Sequence, residues 1–209
     1  MKIIDISQEV FSCNVYPGDP HPTAEKVVSI DKGDVYNMST LSMCVHNGTH
    51  IDAPYHFLND GNTVEQIPLE YFVGTCYVTH RDGELTANDA EEKMQEAKAH
   101  NAFERILIGG NVTVTAEAAK VFAECDIKLI GNEGLSIGPV EAPMEVHKIL
   151  FSANVVLLEG IVLKDVPTGT YFLNAAPLNL AKLDGAPCRA YLIKEQRKYE
   201  KLSTCNCKW

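Results

Sequence analysis

The chain has 209 residues, 45% of them hydrophobic and 22% charged, and its 28 acidic residues outnumber 18 Lys and Arg to give a formal charge of −10. This is the composition of an ordinary globular protein that can bury a core of normal size, and its scattered minority of basic residues excludes a phosphate-neutralising nucleic-acid surface. No run of about eighteen apolar residues occurs, which excludes a helical membrane span; the opening MKIIDISQEV lacks the basic-then-apolar layout of a secretory signal, so a single cytoplasmic domain over residues 1–209 is expected.

In chain order, short β-branched, aromatic or wholly apolar runs predict strands at 3–7, 26–30, 40–46, 72–80, 105–110, 127–131, 154–160, 169–175 and 189–194. Between the first two, YPGDPHP (16–22) carries three prolines and a glycine and predicts a stiff loop that holds Tyr16 in a fixed direction, as a pocket wall or a plain turn. Three helices are predicted: one capped by Thr86 or Asn88 with acids in its first turn, one capped by Thr115, and one spanning PMEVHKILFSA. From about residue 84 onward helices alternate with wholly apolar strands, the pattern of parallel strands covered on both faces. The first eighty residues have no helical pattern. The expected architecture is therefore α/β, with a β-rich N-terminal portion ahead of a βα portion.

Seven cysteines at irregular spacings do not form a disulfide framework and are expected to be mostly buried thiols. Cys205 and Cys207, in the tail CNCKW, form a C-x-C pair without a second half, a weak metal signal in a terminus expected to be exposed.

Residues 46–57 read HNGTHIDAPYHF and hold three of the seven histidines. In extended backbone, His46, His50, Asp52 and His56 fall on one side and most packing residues on the other. Full extension would set His46 and His50 roughly 13 Å apart at about 3.3 Å per residue, so a bend is expected at Gly48, and Pro54 is expected to aim His56 back at the site. Two histidines and one carboxylate suit Zn²⁺, or alternatively Mn²⁺, with a coordination position left open. The plainer alternative is a set of hydrogen-bonded loop histidines. His56 is better suited to acid–base work, because an imidazole titrating near neutrality can take a proton from water and pass one to a leaving group. Glu159, in the apolar run NVVLLEGIVL, must reach a solvent cleft, a base or a metal to be tolerated there. His147, in EVHKIL, is on its own only a lone histidine.

HNGTHIDAPYHF resembles the H-x-G-T-H-x-D-x-P-x-H-F motif of the metal-dependent cyclase family, which includes bacterial kynurenine formamidases and isatin hydrolases. The resemblance extends to DIS, YPGDP, HKIL, LLEG and the closing PLNLAKLDGAPCRAYL. It implies a compact domain of the swivelling β/β/α type with a mixed sheet and flanking helices, usually dimeric or tetrameric, neighbouring subunits helping to close the pocket. It implies also that His46, His50 and Asp52 bind metal, that His147 and Glu159 complete a site for two ions, and that His56 is the acid or base. The chain departs from the family's pattern at Glu133 and Leu135, where an aspartate and a proline are frequent, and at Tyr16, where formamidases often carry tryptophan. The expected activity is metal-dependent hydrolysis of a C–N bond in a small amide, aryl formamide or lactam, with Tyr16, Tyr55 and Phe57 as walls for an aromatic substrate. The alternatives are a cyclase, dehydratase or lyase on the same site, and a non-catalytic metal-binding protein.

Overall fold

The computed structural model describes residues 1–194. Strand β1 (Lys2–Asp5) is followed by β2 (Thr23–Val28) and β3 (Met38–Ser42), which pair as a separate hairpin, and then by the short β4 (His50–Asp52). Next come β5 (Val73–His80), β6 (Gly83–Leu85), α1 (Ala87–Ala99), β7 (Arg105–Gly109), β8 (Val112–Val114), α2 (Ala116–Glu124) and β9 (Leu129–Asn132). The described chain closes with α3 (Met144–Ser152), β10 (Val156–Glu159), β11 (Gly169–Asn174), β12 (Gly185–Pro187) and β13 (Tyr191–Lys194).

Nine strands form one mixed sheet in the order β1-β13-β11-β5-β7-β9-β10-β4-β12. Its centre, β5, β7, β9 and β10, is parallel, and both flanks are antiparallel. The three helices lie where the sequence predicts them, two of them capped by threonines. Thr86 and Asp89 form a reciprocal capping box on α1, and the Thr115 hydroxyl accepts from Ala118 N on α2. Alternate residues of the parallel strands feed two cores: Ile106, Ile108, Ile130 and Leu157 pack under the helices, while Leu107, Leu129 and Leu158 point into the hollow of the curled sheet. The curl brings the chain just past β1 against the chain just past β10, where Ser7 bridges Ile161 and Val162 N donates to Ile6 O at 2.8 Å.

Some expectations shift. The run 40–46 leaves strand conformation after Ser42, because its partner β2 is exhausted and Asn47 folds back, its N donating to Cys44 O at 3.1 Å and its side-chain oxygen accepting from Cys44 N at 2.9 Å. The run 26–30 ends at Val28 and passes into a single helical turn, Ile30–Lys32. Of the five cysteines described, only Cys76 is buried; Cys13, Cys44, Cys125 and Cys188 are half-buried and all five are free thiols. Cys205 and Cys207 lie outside the described residues. Among the described residues no helix is long and apolar enough to cross a membrane.

Candidate metal centre and pocket

Strand β4 carries the site. Its three residues are buried between β10 and β12, and alternation sends Ile51 into the hollow of the sheet while His50 and Asp52 face α3. The bend expected at Gly48 is present: φ there is +69°, a left-handed value that glycine adopts without strain. Thr49 pins the bend, accepting from Gln8 N at 2.9 Å and donating to Gly160 O at 2.6 Å. His56 is not placed by strand alternation, as extended parity would have it. After Ala53 the chain enters a helical turn, Pro54–His56, which swings the imidazole back towards His46, with ring centroids 4.2 Å apart.

Four imidazoles and three carboxylates converge here. The Nδ1–H of His50 donates to Gly48 O at 2.9 Å and that of His147 to Pro143 O at 2.9 Å, since a carbonyl can only accept. Both rings therefore turn Nε2 inward, the arrangement that fixes the tautomer of a metal-binding histidine. His50 Nε2 lies 3.1 Å from Asp52 Oδ1 and 3.7 Å from Glu159 Oε2; His147 Nε2 lies 3.6 Å from Asp52 Oδ2 and 3.4 Å from Glu159 Oε1. Glu159 Oε1 also accepts from Ile137 N at 2.8 Å. On the outer side, His46 Nδ1 lies 2.7 Å from Asp52 Oδ1, and His46 Nε2 lies 2.7 Å from Asp184 Oδ2, which is also 3.0 Å from His56 Nδ1.

The donors sort into two groups that could each hold an ion, His46–Asp52–His56 and His50–Asp52–Glu159, with Asp52 common to both and His147 beside the second. Two atoms bound at about 2.1 Å to one tetrahedral ion stand about 3.4 Å apart. The 3.4–3.7 Å spacings around Glu159 match that edge better than they match hydrogen bonds. Imidazole nitrogen and carboxylate oxygen are the donors that Zn²⁺ and Mn²⁺ accept, so the residues present fit the implied ions.

The electrostatics agree. Burial opposes charge on His46, but the Asp52 and Asp184 carboxylates outweigh it and push its pKa up to about 11. Burial likewise opposes charge on His147, which Asp52 and Glu159 raise to about 10, and on His50, raised by Asp52 and Glu159. Asp52 is held well below the ordinary carboxylate range against the penalty of burial by His46 and His50, and Asp184 is held low by hydrogen bonds from His46 and His56. A nest that attracts protons this strongly also attracts divalent cations.

All of these groups except Asp184 line a pocket of about 280 Å³. Tyr16, Phe57, Leu135 and Pro143 supply its apolar walls, and Asp19, Cys44 and Ser136 its remaining polar lining. The Tyr16 hydroxyl donates to Val140 O, tying the YPGDPHP loop to the segment before α3. Tyr55 is 40% exposed and does not line the pocket. Glu133 does not either; its carboxylate accepts from Gly110 N and Leu163 N, a structural role. Sequence reasoning missed Asp184. It lies in the closing PLNLAKLDGAPCRAYL, ahead of a strand too short and too rich in glycine and proline to single it out.

The "Cyclase" family model matches residues 4–139, which include the whole of HNGTHIDAPYHF. The chain belongs to the Cyclase family. It is 31% identical over 205 residues to a kynurenine formamidase of Erythrobacter litoralis (strain HTCC2594), an alignment covering 91% of this chain and 93% of that one. A solved structure from Bacillus stearothermophilus, described as a predicted metal-dependent hydrolase, superposes with a TM-score of 0.74 at 32% identity, covering 91% and 97% of the two chains. Isatin hydrolase A of Labrenzia aggregata, bound to benzyl benzoate, gives a TM-score of 0.78 at 24% identity over 93% and 94%, a likeness of fold. In this member of the family the candidate site is built on the short β4, paired between β10 and β12.

Proposed function

We propose that this chain is a metal-dependent hydrolase that cleaves the C–N bond of a small amide, with an aryl formamide or a lactam as the substrate class. One observation carries the proposal: two donor groups that share Asp52 line an apolar-walled pocket, and His56, at the edge of the outer group, also faces that pocket. His46, His50, Asp52, His147 and Glu159 would hold two ions per chain, Zn²⁺ first and Mn²⁺ second. When bound, such ions supply Lewis acidity, lowering the pKa of water to about 7 and polarising a carbonyl.

His56 has its Nδ1 on Asp184 and turns its other nitrogen to the pocket, where it can take a proton and deliver it to the departing nitrogen. Without that proton an amine is a poor leaving group. Tyr16 and Phe57 offer flat apolar walls to an aryl ring, and Phe57 meets the His56 ring edge-on at 4.6 Å, limiting its rotation. In the overall reaction, water oxygen bonds to the carbonyl carbon, the C–N bond breaks, and the nitrogen leaves protonated. We also propose that the chain assembles as a homodimer or homotetramer, because the β2–β3 hairpin leaves Val27, Met38 and Leu41 exposed.

The test combines elemental analysis of protein purified without added metal with assays on an aryl formamide, a lactam and a cyclic imide in heavy-oxygen water. Retained divalent metal and solvent oxygen in the carboxylate product are expected. Metal-loaded protein that turns over a substrate without taking up solvent oxygen would instead be a cyclase or lyase, and a closed coordination sphere with no turnover would make it a metal-binding protein.

A further inference from the structure

Each histidine around the centre has one nitrogen turned to the donor groups or the pocket and the other anchored. His50 and His147 are anchored by backbone carbonyls, Gly48 O and Pro143 O, which come with the fold. His46 and His56 are anchored differently: His46 Nε2 at 2.7 Å and His56 Nδ1 at 3.0 Å meet the same oxygen, Asp184 Oδ2. The two nitrogens of an imidazole point to opposite edges of the ring, so His46 spans from Asp184 to Asp52, with Nδ1 facing the donors. His56, held by Nδ1, keeps Nε2 for the pocket and has no other side-chain hydrogen bond among the described residues.

Asp184 itself is firmly mounted. Its carbonyl accepts from Ala53 N at 2.8 Å, and Leu183 O before it accepts from Val64 N at 3.0 Å, so its backbone is clamped between the end of β4 and the turn at Val64. The next residue must be small. A Cβ on Gly185 would come within 2.9 Å of His46 Cε1 and 2.7 Å of Ile51 O, so only glycine lets the His46 ring lie over β12 and reach the carboxylate. The 2.7 and 3.0 Å contacts are hydrogen bonds, shorter than the 3.4–3.7 Å spacings of the donor group around Glu159.

We infer that Asp184 is the positioning residue of this site: one carboxylate oxygen fixes the ring of His46 with Nδ1 towards the metal donors and the tautomer of His56 with Nε2 towards the substrate. It touches neither ion nor substrate, and it couples the metal-holding half of the site to the proton-transferring half. The kinetic part of this inference rests on the hydrolase proposal; the metal and tautomer parts do not.

The experiment compares wild type with Asp184→Asn, which keeps the shape and removes the charge, and with Asp184→Glu. Outer-shell partners of metal-binding histidines are worth roughly 10–100-fold. Asp184→Asn is therefore expected to weaken Co²⁺ binding by about that factor with unchanged stoichiometry at saturation, and to lower kcat by about the same factor with KM within about twofold. NMR of nitrogen-labelled histidines in the Zn²⁺-loaded protein should show one His56 tautomer in wild type and a mixture in Asp184→Asn. Asp184→Glu should recover part of each loss. Loss of an ion at saturation would make Asp184 a ligand, and a raised KM at constant kcat would make it a substrate-binding group; either overturns the inference, as does Co²⁺ affinity or a His56 tautomer unchanged in Asp184→Asn. A wild type that binds Co²⁺ and hydrolyses no amide defeats the hydrolase proposal alone, since the Co²⁺ and NMR comparisons still decide the role of Asp184.

Discussion

His50 and Glu159 are cross-strand partners. The antiparallel register of β4 on β10 places them directly opposite each other, so that two groups 109 positions apart in sequence present Nε2 and Oε2 to one point, 3.7 Å apart. The same register sets Leu157 opposite Asp52, so Asp52 has no acidic partner across the ladder and is free to reach both donor groups.

That difference predicts different metal losses. Glu159→Gln removes a donor from one group only and is expected to take the chain from roughly two ions to roughly one, whereas Asp52→Ala removes the donor common to both and should leave close to none. Elemental analysis after dialysis against a weak chelator measures this. Equal losses in the two variants would show that Asp52 is not shared.

Protonation and metal binding compete for the same nitrogens, which fixes the sign of the pH dependence. In the metal-free protein the folded-state pKa values of His46 (about 11) and His147 (about 10) are raised, so their contribution to stability is complete below the unfolded value near 6.5 and is lost as pH climbs through 10–11. Asp52 and Asp184 are lowered, so their contribution is present above about 3.9 and is lost in acid. Metal binding releases the histidine protons. The gain in Tm on adding Zn²⁺ should therefore grow steadily from pH 6 to pH 9, as scanning calorimetry would show. A gain independent of pH would mean that these imidazoles do not bind the ion.

The order of helices and central strands was legible because each rests on local chemistry: Thr86 and Thr115 cap their helices, and the runs at 105–110, 127–131 and 154–160 are predominantly apolar on both faces, as buried parallel strands require, with one charged residue each. The grouping of His46, His50 and Asp52 was legible from two-residue periodicity and the Gly48 bend. What escaped depends on pairing between distant segments. Asp184 gains its place only because β12 pairs with β4, and three residues containing a glycine and a proline carry no strand signal of their own. The helical turn at Pro54–His56 escaped for a related reason: the pattern of ligands in HNGTHIDAPYHF fits continuous extension, and only the tertiary position of His56 shows where extension stops.

The β2–β3 hairpin projects apart from the large sheet, with Met38 46% and Leu41 58% exposed. A two-stranded ribbon is marginal by itself in water, and apolar side chains on both faces favour a protein partner. A second copy of this chain is the expected partner. Light scattering should give a dimer or tetramer, and the pair Met38→Glu and Leu41→Glu should raise the dissociation constant by at least about tenfold without altering the far-UV spectrum. A wild-type chain that is monomeric at all accessible concentrations would refute this.

The proposed role of His56 separates proton transfer from metal binding. Its Nδ1 is on Asp184, its ring lies against Phe57 and His46, and it belongs to only one of the two donor groups. It is not among His46, His50, Asp52, His147 and Glu159, the five residues proposed to hold the ions, and all five remain when it is removed. His56→Ala is expected to keep metal content near wild type while kcat for an aryl formamide falls by about a hundredfold or more, the usual worth of a positioned acid or base. The loss should shrink with substrates whose leaving nitrogen is more acidic, because these depart without a proton. Comparing an aniline-type with an electron-poor leaving group on the same acyl moiety tests this directly: an equal loss for both would place His56 in substrate binding or in holding the cation instead.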